Sequence, residues 1–118
     1  MKTSWLVAAL LMMGSGTASA EYVDGNQLRM WARSAEHQLD GRVATGKEAT
    51  EAGLYVGYIE GVVDSLSEGK GICPPAGSQV SQMQAIVTKY LAMNPEKWSQ
   101  PGPELVLAAL QPVFPCGK

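Results

Sequence analysis

The sequence predicts a small all-α domain of four to five helices that is closed by one intrachain disulfide. Apolar residues recur at steps of three and four in several segments, and clusters of proline and glycine separate those segments. No segment alternates with a period of two for long enough to indicate a strand. The 118 residues are enough for one domain and too few for two.

The start of the chain has the features of a secretory signal peptide. Lys2 supplies the positive charge, residues 5–13 are apolar, and residues 18–20 form an A-x-A cleavage site. The apolar run is shorter than the roughly 20 residues of a membrane-spanning helix, although a retained anchor is the alternative. We therefore expect a signal peptide over residues 1–20, cleavage between Ala20 and Glu21, and a single exported domain over residues 21–118.

The charge pattern argues against nucleic acid and membrane partners. Nine Lys and Arg residues stand against eleven Asp and Glu residues, and the basic ones are scattered. Binding to phosphates needs a basic patch, which this pattern does not provide. After the signal peptide no apolar run approaches membrane length, so we expect no membrane contact in the mature protein.

The two cysteines, Cys73 and Cys116, are expected to form a disulfide. Export places them in an oxidising compartment, where a pair of cysteines usually bonds. The bond closes a loop of about 44 residues, and the lost chain entropy predicts about 4 kcal/mol of stabilisation. A metal site is the alternative, but two cysteines with one distant histidine, His37, make a poor ligand set. We expect neither a metal nor a cofactor.

Two helices are predicted in the first half of the domain. An apolar stripe marks the first helix, and it consists of Leu28, Trp31, Ala32, Ala35 and Leu39. Asp24 or Asn26 can cap its start, and Gly41 can end it. The second helix covers about residues 47–67. Its stripe consists of Ala49, Ala52, Val56, Ile59, Val63 and Leu66.

Two further helices are predicted in the second half. Residues 81–84, Ser-Gln-Met-Gln, fit a capping box that starts the third helix. Its apolar face consists of Met83, Ile86, Val87, Tyr90 and Leu91. Pro95 ends this helix, because the residue before a proline disfavours helical angles. Pro103 starts the last helix, which runs to about Leu110 and is ended by Pro112.

The second helix carries glycine at every fourth position, at Gly53, Gly57 and Gly61, and we call these three residues the glycine ridge. Each interior glycine costs about 1 kcal/mol relative to alanine. Residues four apart lie near one face, so the ridge allows another helix to approach closely and offset that loss. The approaching helix belongs to the same chain, to a second subunit or to a different protein.

Several sequence blocks together resemble the Rap/Tai family of immunity proteins. They are GYIEGVVDSL, ICPPAG, VSQMQAIVTKYLAMNPEKW, LVLAAL and a terminal FPC, in this order between residues 53 and 116. The resemblance implies an all-helical, disulfide-bonded periplasmic protein that tends to form a homodimer. It also implies a function, which is to neutralise a peptidoglycan amidase effector of type VI secretion by docking on it and blocking its papain-like active-site cleft. The chain lacks the additional cysteine pair of many members.

We do not expect an enzyme. Nucleophilic catalysis needs an activated Ser, Cys or Thr beside a base, and the only histidine, His37, lies between charged and polar neighbours typical of a surface residue. The alternative function is a small periplasmic stress or acid chaperone of the helical, single-disulfide type. The eleven acidic residues permit this function, but acid chaperones usually carry many lysines as well.

An occluding protein needs a narrow segment that can enter a cleft. The best candidate is the contact loop, which consists of Ser67, Glu68, Gly69, Lys70 and Gly71. Its glycines allow a tight projection, and a disulfide at Cys73 anchors its far end and limits the ordering entropy lost on binding. Lys70 supplies a charged tip. The turn near Trp98 is the rival contact, and an ordinary surface connection is the alternative.

Overall fold

The computed structural model describes residues 22–42, 45–67 and 71–117. Within these ranges the chain forms helices and no β-strand, apart from one isolated bridge between Asp24 and Pro101. The helices are α1 (Gly25–Leu39), α2 (Gly46–Leu66), α3 (Val80–Met93) and α4 (Gly102–Leu110), with a 3₁₀ turn at Pro95–Lys97. The predicted all-α class and helix order are confirmed. The predicted signal peptide, residues 1–20, lies outside the described residues.

Local capping explains where the first two helices begin. The Asp24 carboxylate accepts a hydrogen bond from the Gln27 amide at 2.9 Å, and the Thr45 hydroxyl accepts one from the Glu48 amide at 3.1 Å. Gly41 follows the end of α1 with a φ of 72°, a conformation that favours glycine.

The predicted capping box of the third helix is wrong. The helix begins one residue earlier, at Val80, after an extended Gln79 that makes no side-chain cap. The turn before it, in which the Ser78 amide donates to the Pro75 carbonyl at 3.1 Å, sets this starting point. Ser81 therefore lies inside the first turn and not at the cap. The predicted stop after α3 is confirmed.

The buried face of α2 differs from the predicted stripe. Tyr55 and Val62 are buried, whereas Ala49 is exposed and Val56 only half-buried. Rotating the helix toward the larger side chains removes more apolar surface from water. Leu39, the last residue of the predicted stripe on α1, is also wrong as a core residue, because it is 80% exposed. The rest of that stripe packs in the core. There the Trp31 ring packs edge-on against the Tyr58 ring, with 6.1 Å between the ring centres.

A clasp of backbone hydrogen bonds joins the starts of α1 and α4. The Gly25 amide donates to the Gln100 carbonyl at 3.0 Å, and the Gly102 amide donates to the Val23 carbonyl at 2.7 Å. A Cβ on Gly25 would lie 2.6 Å from the Trp98 Cα, and one on Gly102 would lie 2.8 Å from the Val23 carbonyl oxygen. Both positions therefore need glycine, because another backbone lies where a side chain would begin.

The predicted disulfide between Cys73 and Cys116 is confirmed, with Cα atoms 4.9 Å apart. Beside it the Cys73 amide donates to the Phe114 carbonyl at 2.9 Å. The bond fixes the segment between α2 and α3 to the C-terminal segment after α4. None of the described helices is both long enough and apolar enough to span a membrane.

Candidate functional site

The glycine ridge faces solvent. Gly53, Gly57 and Gly61 are exposed, and a Cβ built on any of them would meet no described atom within 4 Å. No other helix in the described ranges covers the ridge. Within these ranges, the alternative of a partner helix from the same chain is therefore wrong. A shallow groove opens beside Gly57 and Gly61, with Tyr58 and Pro103 in its wall. A partner outside this chain stays a prediction.

The ends of the contact loop are held together. The Ile72 amide donates to the Leu66 carbonyl at 3.1 Å, and the Gln111 side-chain amide donates to the Gly71 carbonyl at 3.3 Å. At the other end the Ser67 hydroxyl donates to the carbonyl of Val63 at 2.6 Å. Three of the predicted contact residues, Glu68, Gly69 and Lys70, lie outside the described residues. The role of the loop stays a prediction, with both of its ends fixed by named hydrogen bonds.

A mainly apolar groove, which we call the α3–α4 groove, lies between the second half of α3 and the end of α4. It has a volume of about 350 Å³. It is lined by Ile86, Lys89, Tyr90, Met93, Asn94, Ala109 and Val113. Met93 is 68% exposed and Val113 is 49% exposed, so the walls of the groove present apolar surface to water. Sequence patterns did not predict the groove, because its two walls are distant in sequence.

Two lysines lie at the α3–α4 groove. Lys89 lines it directly, and the Lys97 ammonium lies 3.2 Å from the Tyr90 hydroxyl and 5.6 Å from the centre of the Tyr90 ring. No acidic residue is among the described residues that line the groove. The turn near Trp98, the rival contact in the sequence, lies beside it. There the indole N–H donates to the Leu91 carbonyl at 2.8 Å and is not available to a partner.

A second groove separates α1 from α3. Its lining includes Glu36, Leu39, Thr88 and Lys89, and alanines supply most of the rest. Below it the Tyr55 hydroxyl and the Thr88 hydroxyl are hydrogen-bonded at 2.8 Å. Burial raises the pKa of Tyr55 from 10.0 to about 12, so this phenol keeps its proton well into the alkaline range. The pair thus satisfies a buried polar group and has no evident acid–base role.

The ionisable groups between α1 and α2 are paired with one another. Nδ1 of His37 lies 2.8 Å from a carboxylate oxygen of Glu48, and the Ser34 hydroxyl donates to the buried Glu51 carboxylate at 3.3 Å. Sequence reasoning treated His37 as a surface residue and missed the buried Glu51, which only the packing of the two helices could have indicated. No group of three or more His, Cys, Asp or Glu residues in the described ranges could hold a metal ion.

Comparison with known proteins adds one finding. A family model described as Rap1a immunity proteins matches residues 24–116, a range that includes all four helices and both cysteines. No curated protein sequence matches the chain significantly. The family match therefore rests on the whole described domain and not on one motif.

Proposed function

The chain belongs to the family of Rap1a immunity proteins, and from that premise we propose that it is a periplasmic protein that binds and occludes a peptidoglycan amidase effector of type VI secretion. The family match over residues 24–116 carries the proposal. Membership of an immunity family implies a partner effector. That the effector is an amidase, and that the protein acts in the periplasm, are our proposals.

Neutralisation by binding is consistent with the chemistry of the described residues. The Tyr55 phenol is buried and hydrogen-bonded to Thr88, and both cysteines are in a disulfide. We propose that the protein has no catalytic activity of its own. A stable inhibitory complex then needs a contact area of about 800 Å² per partner, which a domain of this size can provide.

We propose that the contact loop enters the amidase cleft. The hydrogen bond between Ile72 and Leu66 and the disulfide at Cys73 hold the two ends of the loop at fixed positions. A loop whose ends are fixed loses less entropy on binding than a free segment. Lys70 is the charge that would meet an acidic group in a substrate-binding groove.

We also propose that the protein is a homodimer with the glycine ridge at the subunit contact. Three exposed glycines lower the helix propensity of α2 by about 3 kcal/mol in total, with no compensating contact in the described chain. Close approach of a second copy along Gly57 would supply that contact. Gly57→Leu should then dissociate the dimer, as measured by sedimentation velocity. If the variant sediments like the wild-type dimer, the subunit contact does not lie at the glycine ridge.

Inhibition assays test the proposed function. The mature protein should inhibit at least one purified type VI peptidoglycan amidase, whereas a variant with Glu68, Lys70 and Gly71 replaced by serine should inhibit it less. A control variant with serine at two exposed positions of α1 and at the exposed residue that follows its end should inhibit as the wild type does. The control substitutions are Gln27→Ser, Arg33→Ser and Asp40→Ser.

Two outcomes would contradict the proposal at different levels. Equal inhibition by the wild type and the loop variant, with folding confirmed by circular dichroism, would show that the contact with the amidase does not depend on the loop. No inhibition of any amidase by the wild type would reject the amidase as the partner.

A further inference from the structure

We propose that the α3–α4 groove is a docking surface for an acidic segment of a partner protein that carries one apolar anchor side chain. The proposal rests on the proposed function and deepens it, because it names the chemistry of an effector segment that this groove would bind. It is carried by two independent features of the groove, its apolar walls and its lysines.

The apolar walls indicate an anchor side chain. Met93 and Val113 are among the few large apolar side chains that the described chain leaves exposed, and Ile86 and Ala109 continue the apolar surface inward. A volume of about 350 Å³ is ample for one aromatic or branched side chain. Methionine is unbranched and flexible, so Met93 can adapt to the shape of the anchor.

The lysines determine the charge of the partner. The whole chain has a net charge of −2, yet this groove has Lys89 in its wall, Lys97 beside Tyr90, and no acidic residue in its described lining. The Tyr90 hydroxyl holds the Lys97 ammonium at 3.2 Å, so this charge is already positioned. A carboxylate next to the anchor would be attracted, and a basic segment would be repelled.

The other exposed features do not define a partner in this way. In the groove between α1 and α3, Glu36 stands opposite the same Lys89, so that groove has no single sign of charge. The groove beside Gly57 and Gly61 has no charged residue in its described lining, so it does not select the charge of a partner. Of the three grooves described above, the α3–α4 groove is the one that combines an exposed apolar wall with charges of one sign.

A peptide titration tests the groove without any effector. The mature protein, labelled with ¹⁵N, is titrated with the acetylated, amidated tripeptide Glu-Phe-Glu and with its neutral twin Gln-Phe-Gln. We expect the acidic peptide to shift the amide signals of groove residues, including Tyr90 and Met93, with millimolar affinity. The neutral peptide should bind about threefold or more weakly, and the difference should shrink as salt screens the lysines.

Charge reversal tests whether the two lysines cause the preference for the acidic peptide. The double variant Lys89→Glu and Lys97→Glu should bind the acidic peptide about tenfold more weakly. The control variant Arg33→Glu and Arg42→Glu changes the net charge by the same amount at two exposed sites away from the groove lining, and it should bind as the wild type does. Equal binding of the two peptides, or no shift at groove residues, would overturn the proposal.

The same variants separate this proposal from the proposed function. If the wild type inhibits an amidase, the Lys89 and Lys97 double variant should inhibit it about tenfold less well than the arginine control. Equal inhibition by both would overturn the groove as an effector site and leave the proposed function intact. If the wild type inhibits no amidase, the proposed function fails, and the peptide titration still decides the chemistry of the groove.

Discussion

Replacing Gly57 by alanine should stabilise the protein. Gly57 lies on the exposed face of α2, and an added Cβ would meet no described atom within 4 Å. The substitution therefore adds no steric cost to the monomer, and alanine gains about 1 kcal/mol of helix propensity over glycine. For a domain of this size the melting temperature should rise by about 4–8 °C.

The same substitution at Gly25 provides the matched control. Gly25 is also a helical residue, the first of α1. A Cβ added there would lie 2.6 Å from the Trp98 Cα and 2.7 Å from the Trp98 carbonyl oxygen. Those atoms belong to backbone and cannot move without breaking the clasp between α1 and α4. We expect Gly25→Ala to destabilise the protein by about 1–3 kcal/mol, the usual effect of overpacking.

Urea denaturation followed by circular dichroism measures both variants. The disulfide must stay oxidised, and the protein concentration must be low enough that any dimer is dissociated. The denaturation slope should be unchanged, so that a shift of the midpoint reports stability. A lower midpoint for Gly57→Ala in the dilute monomer would refute the exposed ridge, and an unchanged midpoint for Gly25→Ala would refute the clasp.

The remaining predictions address covalent structure, pH and function. The protein recovered from the periplasm should have the mass of a chain that begins at Glu21 and should take up no alkylating reagent until it is reduced; two labels without reductant would contradict the disulfide of Cys73 and Cys116. Replacing both cysteines by serine should lower the free energy of unfolding by about 4 kcal/mol, because the bond closes a loop with a sequence separation of 43. Burial raises the pKa of Tyr55 from 10.0 to about 12, so the folded state keeps a proton that the unfolded state has lost, and stability should fall as the pH rises through that window. Tyr55 accounts for about 3 kcal/mol of the free energy of unfolding that is lost across this pH range, so the free energy of unfolding of Tyr55→Phe should fall less steeply with pH than that of the wild type. At neutral pH the same variant should be less stable than the wild type by about 1 kcal/mol, because it lacks the hydrogen bond. Melts at pH 3 and pH 7 with a client protein distinguish the chaperone alternative, because only a chaperone should gain client binding in acid.

Local sequence patterns were sufficient to predict the order of the helices and the end of α3. Proline and glycine act on the backbone of their immediate neighbours, so Pro95 and Gly41 have the predicted effects wherever the rest of the chain lies. The disulfide was also predictable, since only two cysteines exist and they could pair in one way. These features depend on a few adjacent residues or on simple counting.

Features that depend on packing were not predictable in this way. The rotation of α2 buries Tyr55 in place of Val56, and the spacing of apolar residues fits both choices because the two side chains are adjacent in sequence. The clasp and the α3–α4 groove join segments that are distant along the chain. For Gly25, composition could not show that the Trp98 backbone occupies the place of its Cβ.

The disulfide connects both proposed contact regions. On one side Cys73 follows the contact loop, and on the other Cys116 follows the segment that contributes Val113 to the α3–α4 groove. The Phe114 side chain is buried in the core, and its backbone carbonyl accepts from the Cys73 amide at 2.9 Å. Breaking the covalent bond should therefore loosen the end of the loop and one wall of the groove together. If both regions bind the effector, the variant with both cysteines replaced by serine should lose more affinity than the loop variant or the lysine variant alone, under conditions in which circular dichroism shows that it is still folded. A loss equal to that of one variant would show that only that region contacts the effector.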